Sequence, residues 1–215
     1  MRQSRGPERD DVKLYDKSFL SIRFVPVKLL LVAIAVVFVG IGISGAEFAA
    51  NRVGAMFFSF IFPFAADILR LFRIRVPADL ELTYLVFLLF AQYLGIDFNA
   101  YKWLPHYDKV IHAVSGALTV VVGYMLWSYF KLPVKSKSID VRALFAILLA
   151  ISVAAVWEYI EFAADKLLGM NMQTLISEGV DDTMFDMIFA TIGAIIAVAA
   201  YKYVLPKLKP RKKRI

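Results

Sequence analysis

Residues 141–164 read VRALFAILLAISVAAVWEYIEFAA. From Ala143 to Trp157 there is no charge and no apolar/polar alternation, and the run approaches the roughly 20 residues an α-helix needs to cross a bilayer. Near its end stand Glu158 and Glu161, with Asp165 just beyond. Charge inside a membrane span is expensive and is usually kept for a task. One stretch thus gives both the fold class and the first candidate site residues.

Working outward, the same pattern repeats. Hydrophobic residues make up 60% of the 215 residues and the mean hydropathy is +0.66, against roughly 45–50% apolar in soluble domains. The expectation is an all-α, polytopic membrane bundle of six helices. Segment one runs from about Val25 to Ser44, segment two from about Val53 to Leu69, and segment three from Pro77 to about Gly95. Segment four covers about Lys109 to Phe130, segment five Val141 to Ala164, and segment six Thr183 to Val204, ended by Pro206. A charged N-terminal segment, 1–24, precedes the 25–204 transmembrane domain, and a basic tail, 205–215, follows it. Segment two is the shortest, uncharged only from Val53 to Ala66 and carrying Pro63, so a re-entrant path competes with a crossing.

Charge decides that point. With six crossings and both termini cytoplasmic, only Arg52, Lys102, Lys109 and Lys166 of the 25 lysines and arginines face outward, as the positive-inside rule requires. If segment two failed to cross, Arg70, Arg73 and Arg75 would move outside and every later loop would invert. The location expected is the cell (inner) membrane. A charge-rich stretch, residues 1–24, precedes the first apolar run, which reads as an uncleaved helix rather than a signal peptide.

The net charge of +7 is therefore read as a cytoplasmic lipid-facing surface and not as a nucleic-acid patch. With no cysteine, disulfides, thiolate nucleophiles and Cys-ligated metals are excluded. Gly40-Ile-Gly-Ile-Ser-Gly45 matches a dinucleotide fingerprint in letters, but it follows no strand and lies in a membrane helix, where small residues serve close packing. No nucleotide cofactor is expected.

The expected topology brings three helix ends to the outer face. Segment four begins Tyr107-Asp108-Lys109-Val110-Ile111-His112, and Asp108, His112 and Gly116 share a face at spacings of four. Segment five carries Glu158, Glu161 and Asp165 on one stripe. Segment six places Asp182, Asp186 and Gly193 on another. From the expected ends, Glu158 lies roughly 9 Å deep and His112 and Asp186 roughly 5 Å deep.

Such a hard-ligand set suits Mg²⁺, Mn²⁺, Ca²⁺, Zn²⁺ or ferrous iron. The expectation is a divalent metal held by His112, Glu158, Glu161 and Asp186, with Asp108 or Asp182 orienting the shell or taking a proton beside His112. A metal-activated water at the outer leaflet would act on an envelope lipid or lipid-linked ester. Two rival readings stand beside this one. An ion- or proton-coupled transporter needs a polar path onward to the cytoplasm, where only Asp67 and Glu81 are found. A non-catalytic envelope or resistance factor would use the polar residues only to lock helices together. A blander alternative makes Asp108 with Lys109, and Glu161 with Lys166, plain ion pairs, Asp182 a helix-dipole residue, and His106 a solvated loop residue.

The strings YDKVIHAVSG at 107–116, WEYIEF at 157–162 and DDTMFDMIFATIGAIIA at 181–197 resemble the YjdF-like inner-membrane family and, more loosely, VanZ-like proteins. The resemblance covers about residues 77–200. It implies that Asp108, His112, Glu158, Glu161, Asp182 and Asp186 are the recurring polar positions. Where YjdF-like proteins tend to carry Gln-Gly-Asp-x-Trp-Asp, this chain has Glu178-Gly179-Val180-Asp181-Asp182. The link of VanZ-like proteins to glycopeptide-antibiotic resistance points to the cell envelope and to no particular reaction.

Overall fold

The computed structural model describes residues 24–44, 58–74, 76–130, 140–169, 172–173 and 180–204. The expected N-terminal segment, apart from Phe24, and the basic tail lie outside these residues, as do residues 53–57 of segment two. The helices are α1 (Val25–Ser44), α2 (Ala65–Leu71), α3 (Ala78–Leu88), α4 (Ala100–Trp103), α5 (Tyr107–Tyr129), α6 (Val141–Leu168) and α7 (Val180–Ala199). The described residues contain no strand.

Among the described residues, four helices are long and apolar enough to cross a membrane: Ala78–Asp97, Tyr107–Tyr129, Val141–Leu167 and Val180–Tyr203; Val25–Ile41 is a shorter apolar helix. Their outer faces expose large apolar side chains such as Leu30, Val37, Leu148, Val156 and Ile196. A soluble fold would bury these groups; a bilayer solvates them. The chain is a polytopic helical membrane protein.

Local chemistry sets the helix ends. The Asp140 side chain accepts from Ala143 N (3.2 Å) and caps α6, the usual role of a residue in that position. At the other end Gly169, with φ +66°, closes the helix in the left-handed conformation that glycine tolerates. Pro77 precedes α3, and the helix changes winding at Leu89–Asp97, where a π-helical stretch includes the bond from Phe98 N to Tyr93 O at 2.8 Å. Such wide turns recur at functional sites. Here the turn buries Gln92, Tyr93 and Asp97 together. Sequence periodicity did not foresee it. Segment two is also irregular: a short helix at 58–61 meets a 3-10 turn, Phe62–Phe64, around the buried Pro63 before α2 begins.

Cross-helix contacts order the elements. Lys28 meets Glu81 and Phe38 meets Phe98, so α1 and α3 are parallel. Ser59 meets Asp97, Tyr84 meets Phe62 and Arg70 meets Glu81, so residues 58–71 run antiparallel to α3 along most of its length. The described part of segment two thus lies alongside α3 in the opposite direction, as a short, irregular stretch that is not among the four long apolar helices. In the other half, Ala113 lies against Gly193 and Gly116 against Ala190, making α5 and α7 parallel, whereas Gly123 meets Ala146 of the antiparallel α6.

At the end where α1 and α3 begin, four charges interlock. Lys28 Nζ donates to Glu81 Oε1 at 2.7 Å and to Asp67, and the Arg70 guanidinium donates to Asp67 and to the second Glu81 oxygen. Lys28 and Glu81 are each 1% exposed. Two cations against two anions neutralise one another, which makes burial of long charged side chains tolerable. Sequence reasoning placed Asp67 and Glu81 near this end but saw neither the network nor the part of Lys28.

Removing one member strands the others. Glu81→Gln is expected to lower the unfolding free energy by roughly 3 kcal/mol or more, seen as a depressed melting temperature in detergent. Asp79→Asn, at an exposed position on the same helix turn, should shift it by no more than about 0.5 kcal/mol. Equal, small effects for both would contradict the network's role.

Candidate functional site: an acid–lysine–histidine cluster above an apolar cavity

The site depends on how closely α5 and α7 approach. A Cβ on Gly116 would collide with the Ala190 carbonyl, and one on Gly193 would collide with the Ala113 carbonyl. The pair is reciprocal: each glycine receives the backbone of the other helix, the small-residue packing that membrane helices use in place of hydrophobic force. Within about three turns of this crossing, α5 carries Asp108, Lys109 and His112, and α7 carries Asp182 and Asp186.

Lys109 holds the centre. Its ammonium donates to Asp186 Oδ1 at 2.7 Å, to Asp108 Oδ2 at 3.1 Å and to Asp182 Oδ1. His112 Nε2 lies 3.5 Å from Asp108 Oδ1 and 3.8 Å from Asp186 Oδ1. Asp108, His112 and Asp186 each place one ligand atom within 4.8 Å of the others.

The third helix contributes two more acids. Glu161 Oε1 accepts from Trp157 Nε1 at 2.7 Å. Glu158, 4% exposed, buries both carboxyl oxygens, and no donor reaches either one in hydrogen-bonding geometry. Thr183 and Gln173, themselves hydrogen-bonded at 3.1 Å, face it together with His112 and Asp182. A buried carboxylate with no partner carries the full desolvation cost of its charge, so its surroundings call for a cation or a proton.

The cluster closes one end of a cavity of about 860 Å³. Phe62, Tyr84, Phe87, Leu88 and Ile96 supply one wall, and Ile111, Leu149, Val153 and Ile160 supply the other. Asp108, Lys109, His112, Glu161 and Asp182 stand at the polar end. Apolar walls with a few convergent polar groups are the usual anatomy of a small-molecule site. Tyr101, between the spans, donates to Ala91 O at 2.9 Å and also lines the cavity. Burial, and then the negative charge of Asp108 with Tyr107, Glu161 and Asp186 behind it, holds its phenol well above the usual value.

All six expected site residues belong to this end of the bundle. Asp108, His112, Asp182 and Asp186 come together around Lys109, while Glu158 and Glu161 stand on α6 beside them, outside the tight three-residue group. They lie deeper than expected because α5, α6 and α7 overrun their apolar runs. Glu158 is ten residues from Leu168, or about 15 Å, and Asp186 six from Val180, or about 9 Å. Asp165 is structural, accepting from Met172 N (2.7 Å) and Gln173 N (3.1 Å). Asp181 and His106 are exposed, although His106 borders the cavity. The alternative pairing of Lys109 with Asp108 is present at 3.1 Å, but the same ammonium also bridges to Asp182 and Asp186, which sequence spacing did not show because Lys109, one residue from Asp108, falls off the four-residue stripe. Gln173 and Thr183 were also missed, since nothing in their spacing marks them.

The chain belongs to a family described as a predicted membrane protein family, DUF2238, whose model matches residues 26–207. A protein of Thermotoga maritima described as an uncharacterized protein is 32% identical over 124 residues, which is 56% of this chain and 56% of that protein. The aligned part thus spans just over half of that relative's length. No solved structure matches the chain.

The crossing predicts a sharp glycine dependence. Gly193→Val forces α5 and α7 apart and should cost about 1–3 kcal/mol, lowering the melting temperature in detergent. Gly40→Val, where a Cβ meets nothing within 4 Å, should be near neutral. Equal tolerance at both positions would contradict the packing.

Proposed function

We propose that the protein is a membrane-embedded enzyme for an envelope lipid or lipid-linked substrate, with a divalent cation at the Asp108–His112–Asp186 group. The reading places the chain in the cell (inner) membrane with both termini cytoplasmic and the cluster in the outer leaflet, consistent with the charge asymmetry of its loops. The YjdF-like resemblance of residues 77–200 agrees with a multi-pass membrane family and adds no reaction.

One observation carries the proposal: an acid–histidine cluster stands at the end of an apolar cavity of about 860 Å³. An acyl or prenyl chain fits the walls contributed by Phe62, Phe87, Leu149 and Val153, and its headgroup then lies at Asp108 and His112. The donor set fits a hard or borderline cation, with two carboxylates and one imidazole on converging vectors. The unpartnered Glu158 beside them adds negative charge that a cation would offset. Such a cation, when bound, polarises a headgroup oxygen and makes a water nucleophilic near neutral pH. His112 would hold the cation through its imidazole, and Asp182, outside the ligand group, would orient the shell or take a proton. Trp157 fixes Glu161 at the cavity wall, where it restricts the headgroup's approach.

The ion-coupled carrier expects polar groups through the middle of the bundle. Among the described residues, Leu85 and Leu88 form an apolar layer between the Lys28–Glu81 network and the buried Ser59–Gln92–Asp97 group further along the bundle. That layer favours a site reached from one side.

The test is Mn²⁺ titration of chelator-stripped protein in detergent, followed by calorimetry. The wild type should bind one ion per chain. Asp186→Asn and His112→Gln should each weaken binding by roughly 100-fold, since even outer-shell partners of a metal cost 10–100-fold. Absence of saturable binding in the wild type would sink the cation reading.

A further inference from the structure

We propose that Lys109 is an exchangeable internal counter-ion, displaced by a divalent cation towards the cavity, where its ammonium takes the anionic group of an amphiphile. The inference rests on the cation reading above and names the headgroup class for that site.

The geometry supplies the competition. Lys109 Nζ contacts Asp108, Asp182 and Asp186, and two of these are the carboxylates that would hold the cation with His112. An ammonium 2.7 Å from Asp186 Oδ1 and a divalent ion about 2–2.6 Å from the same oxygen compete for the same charge and repel each other at close range. Lysine is a compact charge on a flexible four-carbon stem, so it can move without moving the helix.

Two features say where it goes. Lys109 is 13% exposed and already lines the cavity. Among the described residues of the cavity, the acid away from the Lys109 cluster is Glu161, which Trp157 engages. A displaced ammonium at the polar end of an apolar cavity needs an anion, and an amphiphile's phosphate or carboxylate provides one. Before displacement, the Lys109 ammonium is engaged by Asp108, Asp182 and Asp186 and is not available to that anion. The order of events follows: cation first, anionic headgroup second.

Three measurements on full-length protein in detergent test this. Lys109→Met removes the competitor and should tighten Mn²⁺ binding at least tenfold. In the wild type, Mn²⁺ should raise the labelling of Lys109 by a small amine-reactive acylating reagent severalfold, read by peptide mass spectrometry. Adding dodecyl phosphate should then suppress that labelling, whereas dodecyl maltoside, with the same chain and a neutral head, should not. The labelling arm needs no variant, so it stands if Lys109→Met fails to fold. Saturable Mn²⁺ binding with unchanged Lys109 labelling would overturn displacement. Equal protection by the two amphiphiles would overturn the anionic headgroup. No Mn²⁺ binding by either protein would overturn the underlying cation reading itself.

Discussion

The close crossing of α5 and α7 is the constraint on which the site depends. Gly116 and Gly193 let each backbone touch the other, and only at that separation can the Lys109 side chain reach Asp182 and Asp186 while staying beside Asp108. A bilayer supplies no hydrophobic force between helices, so shape and polar contacts must hold them. The glycines provide the shape and the cluster provides the polar contacts. Neither is independent of the other, because a wider crossing would leave three carboxylates without their cation.

The two ends of the bundle solve the same physical problem differently. At one end, Lys28, Arg70, Asp67 and Glu81 balance in charge and satisfy one another. That is a closed arrangement that offers nothing to a ligand. At the other end, acids outnumber bases, Glu158 has no donor, and the imbalance opens onto a cavity. The contrast distinguishes a lock from a site better than burial does, since both ends are buried. It also explains why depth alone, the criterion available from sequence, does not separate structural charge from functional charge.

Much of this was legible in the residues. Continuous apolar runs gave the helical membrane class, and the described contacts show residues 58–71 antiparallel to α3. The four-residue spacing of Asp108 with His112, and of Asp182 with Asp186, marked the faces that meet. What could not be read were features set by tertiary contact. Lys109 sits off the periodic stripe, and its role arises only because α7 arrives beside it. The π-helical winding at Leu89–Asp97 has no periodic signature, yet it gathers Gln92, Tyr93 and Asp97 beside Ser59. Glu158 looked like its neighbour Glu161 in sequence, but Trp157 engages one and not the other.

The central claim is that the α5–α7 cluster holds a cation through His112. The chain has only two histidines, His106 and His112, so pulsed electron paramagnetic resonance of bound Mn²⁺ in protein labelled with ¹⁵N-histidine reads the ligand directly. The account predicts one directly coordinated imidazole nitrogen, retained in His106→Gln and lost in His112→Gln. A bound ion with no histidine coupling, or a coupling that disappears with His106, would contradict it.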